Sequence, residues 1–234
     1  MDLPPQPPPD VPAPPPGPEA IRSLRSMNWK MLGALSLFLG YLILLSIPTF
    51  YTPPPAPRTV AMSNIRQLGL TLFAFDQDYG RFPDASTIPA VEATTGTTLN
   101  LGDSGSNQLF RQLLATVDRS EQIFWARTPA TRKKPDDVLG ANALAPGECA
   151  FSYVAGLTSS GDLETPIVMI PMIRGTLKFD PKPFDGKPIV LFLDSSAQAL
   201  TIDQNGDVIL NGMNLFDPRQ PFWRGKAPDI KYPE

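Results

Sequence analysis

Residues 60–83, VAMSNIRQLGLTLFAFDQDYGRFP, carry an unbroken apolar stripe at helical spacing. Ile65, Leu68, Leu72, Phe75 and Tyr79 fall at i, i+3, i+7, i+10 and i+14, on one face of an α-helix that Met62, Gly69 and Phe73 widen. Asn64, Arg66, Gln67, Gln77 and Asp78 fall on the opposite face, which predicts a solvated surface there. Thr59 and Ser63 are the candidate N-caps, and Gly80 followed by Pro83 is a stop signal. At 1.5 Å per residue a helix over 60–79 runs about 30 Å. A rod that long and that one-sided needs a broad apolar surface to lie on, and a small twisted sheet supplies one. The fold class this predicts is α+β, a long amphipathic helix packed on an antiparallel β-sheet.

The chain beyond the helix supplies the other parts. Residues 84–106 are rich in Thr, Gly and Ser and read as a loop. Residues 107–117 (NQLFRQLLATV) read as a short second helix capped by Ser106, with Leu109, Phe110, Leu113, Leu114 and Val117 inward. QIFWA at 122–126 reads as a strand, and 128–146, basic at Arg132, Lys133 and Lys134, as a loop. Strands follow at 150–154, 166–170, 188–193, 198–203 and 207–210. The last two flank Gln204-Asn205-Gly206, a hairpin signal because Asn and Gly tolerate positive φ. Residues 216–234, rich in Pro, Lys and Arg, predict an extended tail over the surface.

The N-terminal quarter has a different character. Ten of the first 18 residues are proline, a polyproline-II or disordered arm that can act as a spacer or as a ligand for a proline-reading partner. Arg22, Arg25 and Lys30 then precede MLGALSLFLGYLILLSI at 31–47, which has no charge. Extended by Pro48, Phe50 and Tyr51, this run of about 17–20 apolar residues sits at the lower edge of a bilayer span. Trp29 and Tyr51 flank it where interfacial aromatics belong, and the next cation is Arg58. The positive-inside rule then places the arm in the cytoplasm and the bulk of the chain outside the cytoplasmic (inner) membrane. The segment ahead of the apolar core is too long for a cleaved signal peptide, and no A-x-A-like site follows at once, so the span reads as an uncleaved signal-anchor. TPPPAP at 52–57 cannot be helical, because consecutive prolines remove donors and clash with the preceding turn. The chain accordingly divides into a cytoplasmic arm (1–28), a single transmembrane signal-anchor (29–51), a proline elbow (52–58), an extracytoplasmic domain (59–215) and the tail (216–234).

Composition removes most chemistry. Histidine is absent, and with it the commonest general base and metal ligand. The single cysteine, Cys149, allows no intramolecular disulfide and reads as a small buried residue beside Ala150 and Phe151. A net charge of −3 and a pI near 5.1 advertise no nucleic-acid face. Gly102-Asp103-Ser104-Gly105 copies the surroundings of a serine-protease nucleophile without a base to serve it, and reads as a flexible turn. Asp203, Asn205 and Asp207 alternate like oxygen ligands of a calcium loop. The glycine, however, comes at the fourth position, no bidentate glutamate follows, and a hairpin turn explains the same residues. Asp76, Asp78 and Asp84 surround the end of the long helix, where turn formation accounts for them. The residues therefore predict no catalytic group, cofactor or metal, and describe a non-enzymatic protein.

SNIRQLGLTLFAFDQDYGRFPD, at 63–84, resembles the globular part of type II secretion pseudopilins and type IV pilin-like proteins. Ser63, Asn64, Arg66, Gln67, Gly69, Asp78, Gly80, Phe82 and Pro83 stand at places that match the family run. Weaker echoes follow in Phe124-Trp125 with Pro129, in Phe151-Ser152-Tyr153, and in VLFLDSSAQAL at 190–200, where Ser195 replaces a glycine. The resemblance covers about 60–203. It implies a pilin-like fold and a structural or interaction role in a bacterial secretion or pilus-like assembly, with the membrane and other envelope proteins as partners. The chain departs from the family ahead of that run. No G-F-x-x-x-E precedes the apolar span, and prolines at 53–55 and 57 cut the helix that pilins keep continuous. The expectation is a pseudopilin-like domain on a permanent anchor, or alternatively a membrane-tethered module for an extracytoplasmic ligand or cation.

Overall fold

The structure, a computed structural model, describes residues 29–50 and 56–234. These fall into two units that divide between residues 54 and 55. In the first, the apolar run forms helix α1 (Trp29–Phe50). Its described side chains from 32 to 43 are exposed, and among the described residues no helix is long and apolar enough to cross a membrane. The proline arm at 1–28, residue 51 of the expected anchor and residues 52–55 of the elbow lie outside the described residues.

The second unit is α+β, as the stripe predicts. Helices α2 (Pro57–Tyr79), α3 (Ile88–Thr95) and α4 (Ser106–Thr116) come first. Strands β1 (Ser152–Ala155), β2 (Pro166–Ile170), β3 (Ile189–Phe192) and β4 (Ala197–Ala199) follow, then β5 (Ile209–Leu210), β6 (Met213–Asn214) and β7 (Asp229–Lys231). Five strands make one antiparallel sheet in the order β4-β3-β2-β1-β7, and β5 pairs with β6 apart from it.

α2 is the long helix, and its boundaries have local causes. It starts three residues earlier than the caps suggest. Pro57 occupies the first turn, where its missing N–H is no loss, Ala56 is the cap residue, and Thr59 and Ser63 lie inside the helix. The elbow thus yields its last two residues to α2. Gly80 ends the helix in the left-handed region (φ 75°), its N–H bonded to Asp76 O at 2.7 Å. Ile65, Leu68, Leu72 and Phe75 are fully buried, while Tyr79 stacks on Phe75 at 4.4 Å and reaches Thr94 Oγ1 with its hydroxyl. Gly69 is where β3 comes closest: a Cβ there would meet Leu191 Cδ2 at 3.0 Å. Asn64 corrects the expectation of a wholly solvated outer face. Its Nδ2 donates to the carbonyls of Gln122 (2.9 Å) and Trp125 (2.7 Å) and so ties α2 to the next turn.

That turn is a 3₁₀ segment, Glu121–Phe124, capped by Ser120 Oγ, where QIFWA predicts a strand. α4 begins one residue early, with Gly105 as the extended cap and Ser106 buried as its first helical residue. The Thr-rich stretch read as loop contains α3, opened by a proline and closed by Gly96 at φ 57°.

The three central strands of the sheet, β1, β2 and β3, are buried on both faces. Toward the helices point Tyr153, Ile170, Ile189 and Leu191, in one core with Ile65, Leu72, Phe110 and Phe124. A register shift between Pro166 and Val168 puts both Ile167 and Val168 in that same core, as a bulge does. Val154, Met169, Val190 and Phe192 point the other way, into a second core with Phe179, Val208, Leu215, Phe216, Phe222 and Trp223. Residues 216–234 are therefore no surface tail: they supply part of that second layer and the edge strand β7, which pairs with β1. The hairpin at 204–206 holds as a single bridge between Ile202 and Val208, while β5 pairs with β6 instead of with the strand before the turn.

Candidate functional site

The run that carries the family resemblance ends in a turn tied down from three sides. Arg81 Nε lies 3.3 Å from Asp84 Oδ2, and Asp84 Oδ1 accepts from the N–H (2.7 Å) and Oγ (2.6 Å) of Ser86. The hydroxyl of Tyr153, from β1, donates to Pro83 O at 2.9 Å. From α4, Gln112 Nε2 donates to Asp84 O (3.0 Å), and Thr87 Oγ1 donates to Gln112 Oε1 (2.6 Å). Burial pushes the Tyr153 phenol well above its ordinary range, and the charges of Asp84 and Asp76 add to the effect. Phe82 is fully buried beneath the turn. Of the motif residues at this end, Gly80, Phe82 and Pro83 are thus occupied in stopping α2 and docking it.

The carboxylates expected near that turn are not brought together as ligands. Asp76 accepts from the N–H and hydroxyl of Ser159, Asp84 serves Arg81 and Ser86, and Asp78 is exposed. Among the described residues no group of three or more acidic, Cys or His side chains is placed to hold a metal. In the calcium-like run, Asp203 Oδ1 accepts the N–H groups of Asn205 (2.8 Å) and Asp207 (2.9 Å), and Asn205 Nδ2 lies 3.5 Å from Asp203 Oδ2. Those bonds, that to Asp207 foremost, hold the Asp203 carboxyl below its usual range. The structure assigns the three residues to a hairpin turn, with Gly206 at φ 82°.

Ser104 of the Gly102–Gly105 turn is tied to two neighbouring side chains. Ser104 Oγ donates to Glu234 Oε1 (3.2 Å), and its N–H meets Gln108 Oε1 (3.3 Å). Cys149 is fully buried, near Ser106 Oγ and Phe151 O, and desolvation raises its thiol to about 12. Such a thiol is inert.

A buried polar network, which the sequence reading does not find, holds the long irregular stretch between α4 and β1. Arg111 Nε and Nη1 donate to Ala143 O and Asn100 O, each at 2.7 Å, and desolvation lowers its pKa. Asn107 donates to Leu144 O (2.9 Å) and accepts from the N–H of Glu234 (3.0 Å). The fully buried Glu121 accepts the N–H groups of Asp137 and Leu144, and desolvation raises its pKa. Glu148 accepts from Ala145 N–H at 2.7 Å. These side chains satisfy loop backbone that has no ladder to join, so their burial is structural. The signal lies in α4 itself, where Arg111 and Gln112 sit among Phe110, Leu113 and Leu114 on a helix buried nearly all round.

Two of the surface concavities among the described residues bring charged groups together. One, of about 410 Å³, lies between Arg132, Gly147, Met172, Arg174 and Glu234. The other, of about 400 Å³, opens beside the start of α2 and is lined by Pro57, Arg127, Thr128, Pro129, Lys182, Pro183 and Phe184. Its floor includes left-handed backbone at a non-glycine residue, Phe184 at φ 60°. Compared with protein-family models, with curated proteins and with solved structures, the chain gives no match.

Proposed function

We propose that this chain is a non-enzymatic structural or interaction protein anchored in the cytoplasmic membrane by residues 29–51, with its pseudopilin-like domain displayed outside, as an accessory of a type II secretion or pilus-like assembly. One observation supports the reading most. Five of the nine residues of SNIRQLGLTLFAFDQDYGRFPD that match the family run hold parts of the fold together, and the other four, Ser63, Arg66, Gln67 and Asp78, are exposed. Asn64 clasps the 3₁₀ turn, Gly69 admits Leu191, Gly80 ends α2, and Pro83 receives Tyr153. A run used that way belongs to a long helix seated on an antiparallel sheet, the architecture such domains are built on. The anchor rests on the uncharged run at 31–47 and on the cations ahead of it. The non-enzymatic reading rests on the employment of Ser104, Cys149 and Asp203 in turns and core.

Crosslinking in intact membranes, followed by purification of the chain, tests this. Recovery of defined envelope or secretion-assembly proteins on the 56–234 side is the expected result. Recovery of the chain alone, with a ligand-dependent rise in melting temperature instead, would replace this reading with the tethered binding module.

A further inference from the structure

We infer that the groove beside the start of α2 seats on the anionic lipid headgroups of the membrane that holds α1, so that the domain docks on the bilayer surface rather than swinging free of it. The inference rests on the anchored reading above.

Two cations, Arg127 and Lys182, line the groove with Pro57, whereas Arg58, next in the chain, lines a different concavity with Ser63 and Arg66. Both side chains in the groove are exposed, and among the described residues neither has an ion pair or a side-chain hydrogen bond. No carboxylate lines the groove. Yet residues 56–234 carry 17 Lys and Arg against 20 Asp and Glu, from totals of 20 and 23 less three of each before residue 56. A carboxylate-free cationic groove is complementary to an anionic surface. The rest of its lining is Thr128, Pro129, Pro183 and the buried Phe184.

Chain length fixes which surface that is. Only residues 51–56 separate Phe50 from Pro57, and so short a tether spans about 25 Å at most. A bilayer that holds α1 therefore presents its headgroups within reach of Pro57 and of the groove it lines. Each cation near an anionic leaflet favours docking about fivefold, so the two together favour it on the order of twenty-fivefold over the undocked state. Screening by salt weakens that preference.

The test uses the full chain reconstituted into vesicles of phosphatidylcholine alone or with phosphatidylglycerol, reading amide hydrogen exchange over 125–134 and 178–187. The expected result is exchange at least tenfold slower in the phosphatidylglycerol vesicles, reversed by added salt. The double variant Arg127→Gln with Lys182→Gln is expected to abolish the difference, and Arg127→Lys with Lys182→Arg to keep it. Equal exchange in both vesicles, with the chain resistant to carbonate extraction, overturns docking and leaves the anchor standing. Slowing by inorganic phosphate in phosphatidylcholine vesicles would make the groove a soluble-anion site and also overturns docking. Slowing that tracks protein density in phosphatidylcholine would assign the groove to a second copy. A chain extracted by carbonate from both vesicles overturns the anchored reading, and docking with it.

Discussion

Cys149 and Tyr153 sit four residues apart, both fully buried, and both hold their protons longer than solvent-exposed groups do. The sign of the linkage follows. A thiol raised from 9.0 to about 12 stays protonated in the folded chain while the unfolded chain ionises. Its stabilising contribution is complete below pH 9 and is lost as pH rises toward 12, a loss on the order of 4 kcal/mol by then. Tyr153 adds a further loss above pH 10. Urea unfolding from pH 7 to 11 should therefore show a steep alkaline decline, flattened in Cys149→Ala. Parallel curves for the two proteins would contradict the assignment. The stripe gives a second test at this scale. Leu72→Ala should cost about 2–5 kcal/mol, and Arg66→Ala, on the exposed side, a few tenths. Gly69→Leu should cost about 1–3 kcal/mol, because its side chain must displace the buried Leu191. Normal melting of Gly69→Leu would mean that β3 does not press on α2. These inward residues were legible because period 3.6 marks them. Asn64 was not, because a polar residue that clasps another segment's carbonyls has the same period as one that faces water.

Among the elements, legibility followed length and continuity. α2 announces itself by five stripe positions and a glycine stop, whereas QIFWA offers five residues, too few for a period to separate a strand from a 3₁₀ turn. The second apolar layer left a sign that was passed over. PIVMI and IVLF do not alternate, and strands without alternation are covered on both faces. The cover is the C-terminal stretch, whose prolines and cations disguise Phe216, Phe222 and Trp223 as a tail. Trp223 is 5% exposed and its Nε1 donates to Leu215 O at 2.8 Å. Trp223→Ala should therefore cost about 3–5 kcal/mol, comparable to losing a core residue under α2. A melting temperature unchanged by Trp223→Ala would return 216–234 to the surface. The sign of the buried network around Arg111 and Glu121 is confined to the polar residues within α4, since what it satisfies is backbone far along the chain, at Asn100, Asp137 and Ala143, which no spacing marks.

At the scale of the whole molecule, the proposed anchoring is tested through the side of the membrane that residues 56–234 would occupy. Three cations precede the uncharged run at 31–47 and none follows before Arg58, so the charge bias points the domain outward. A folded domain resists proteases except where exposed chain lacks a ladder or a helix. Lys133 and Lys134 meet both conditions. Trypsin added to cells with an opened outer envelope should therefore cut first at 132–134. The product should be a membrane-bound fragment that keeps residues 1–30 and loses the sheet. The same protease on sealed, inverted vesicles should instead cut at Arg22 and Arg25 and spare the domain. Cleavage at 132–134 only in the inverted vesicles would reverse the orientation. A chain released to the soluble fraction by both treatments would remove the anchor, and the extracytoplasmic interaction role would fall with it.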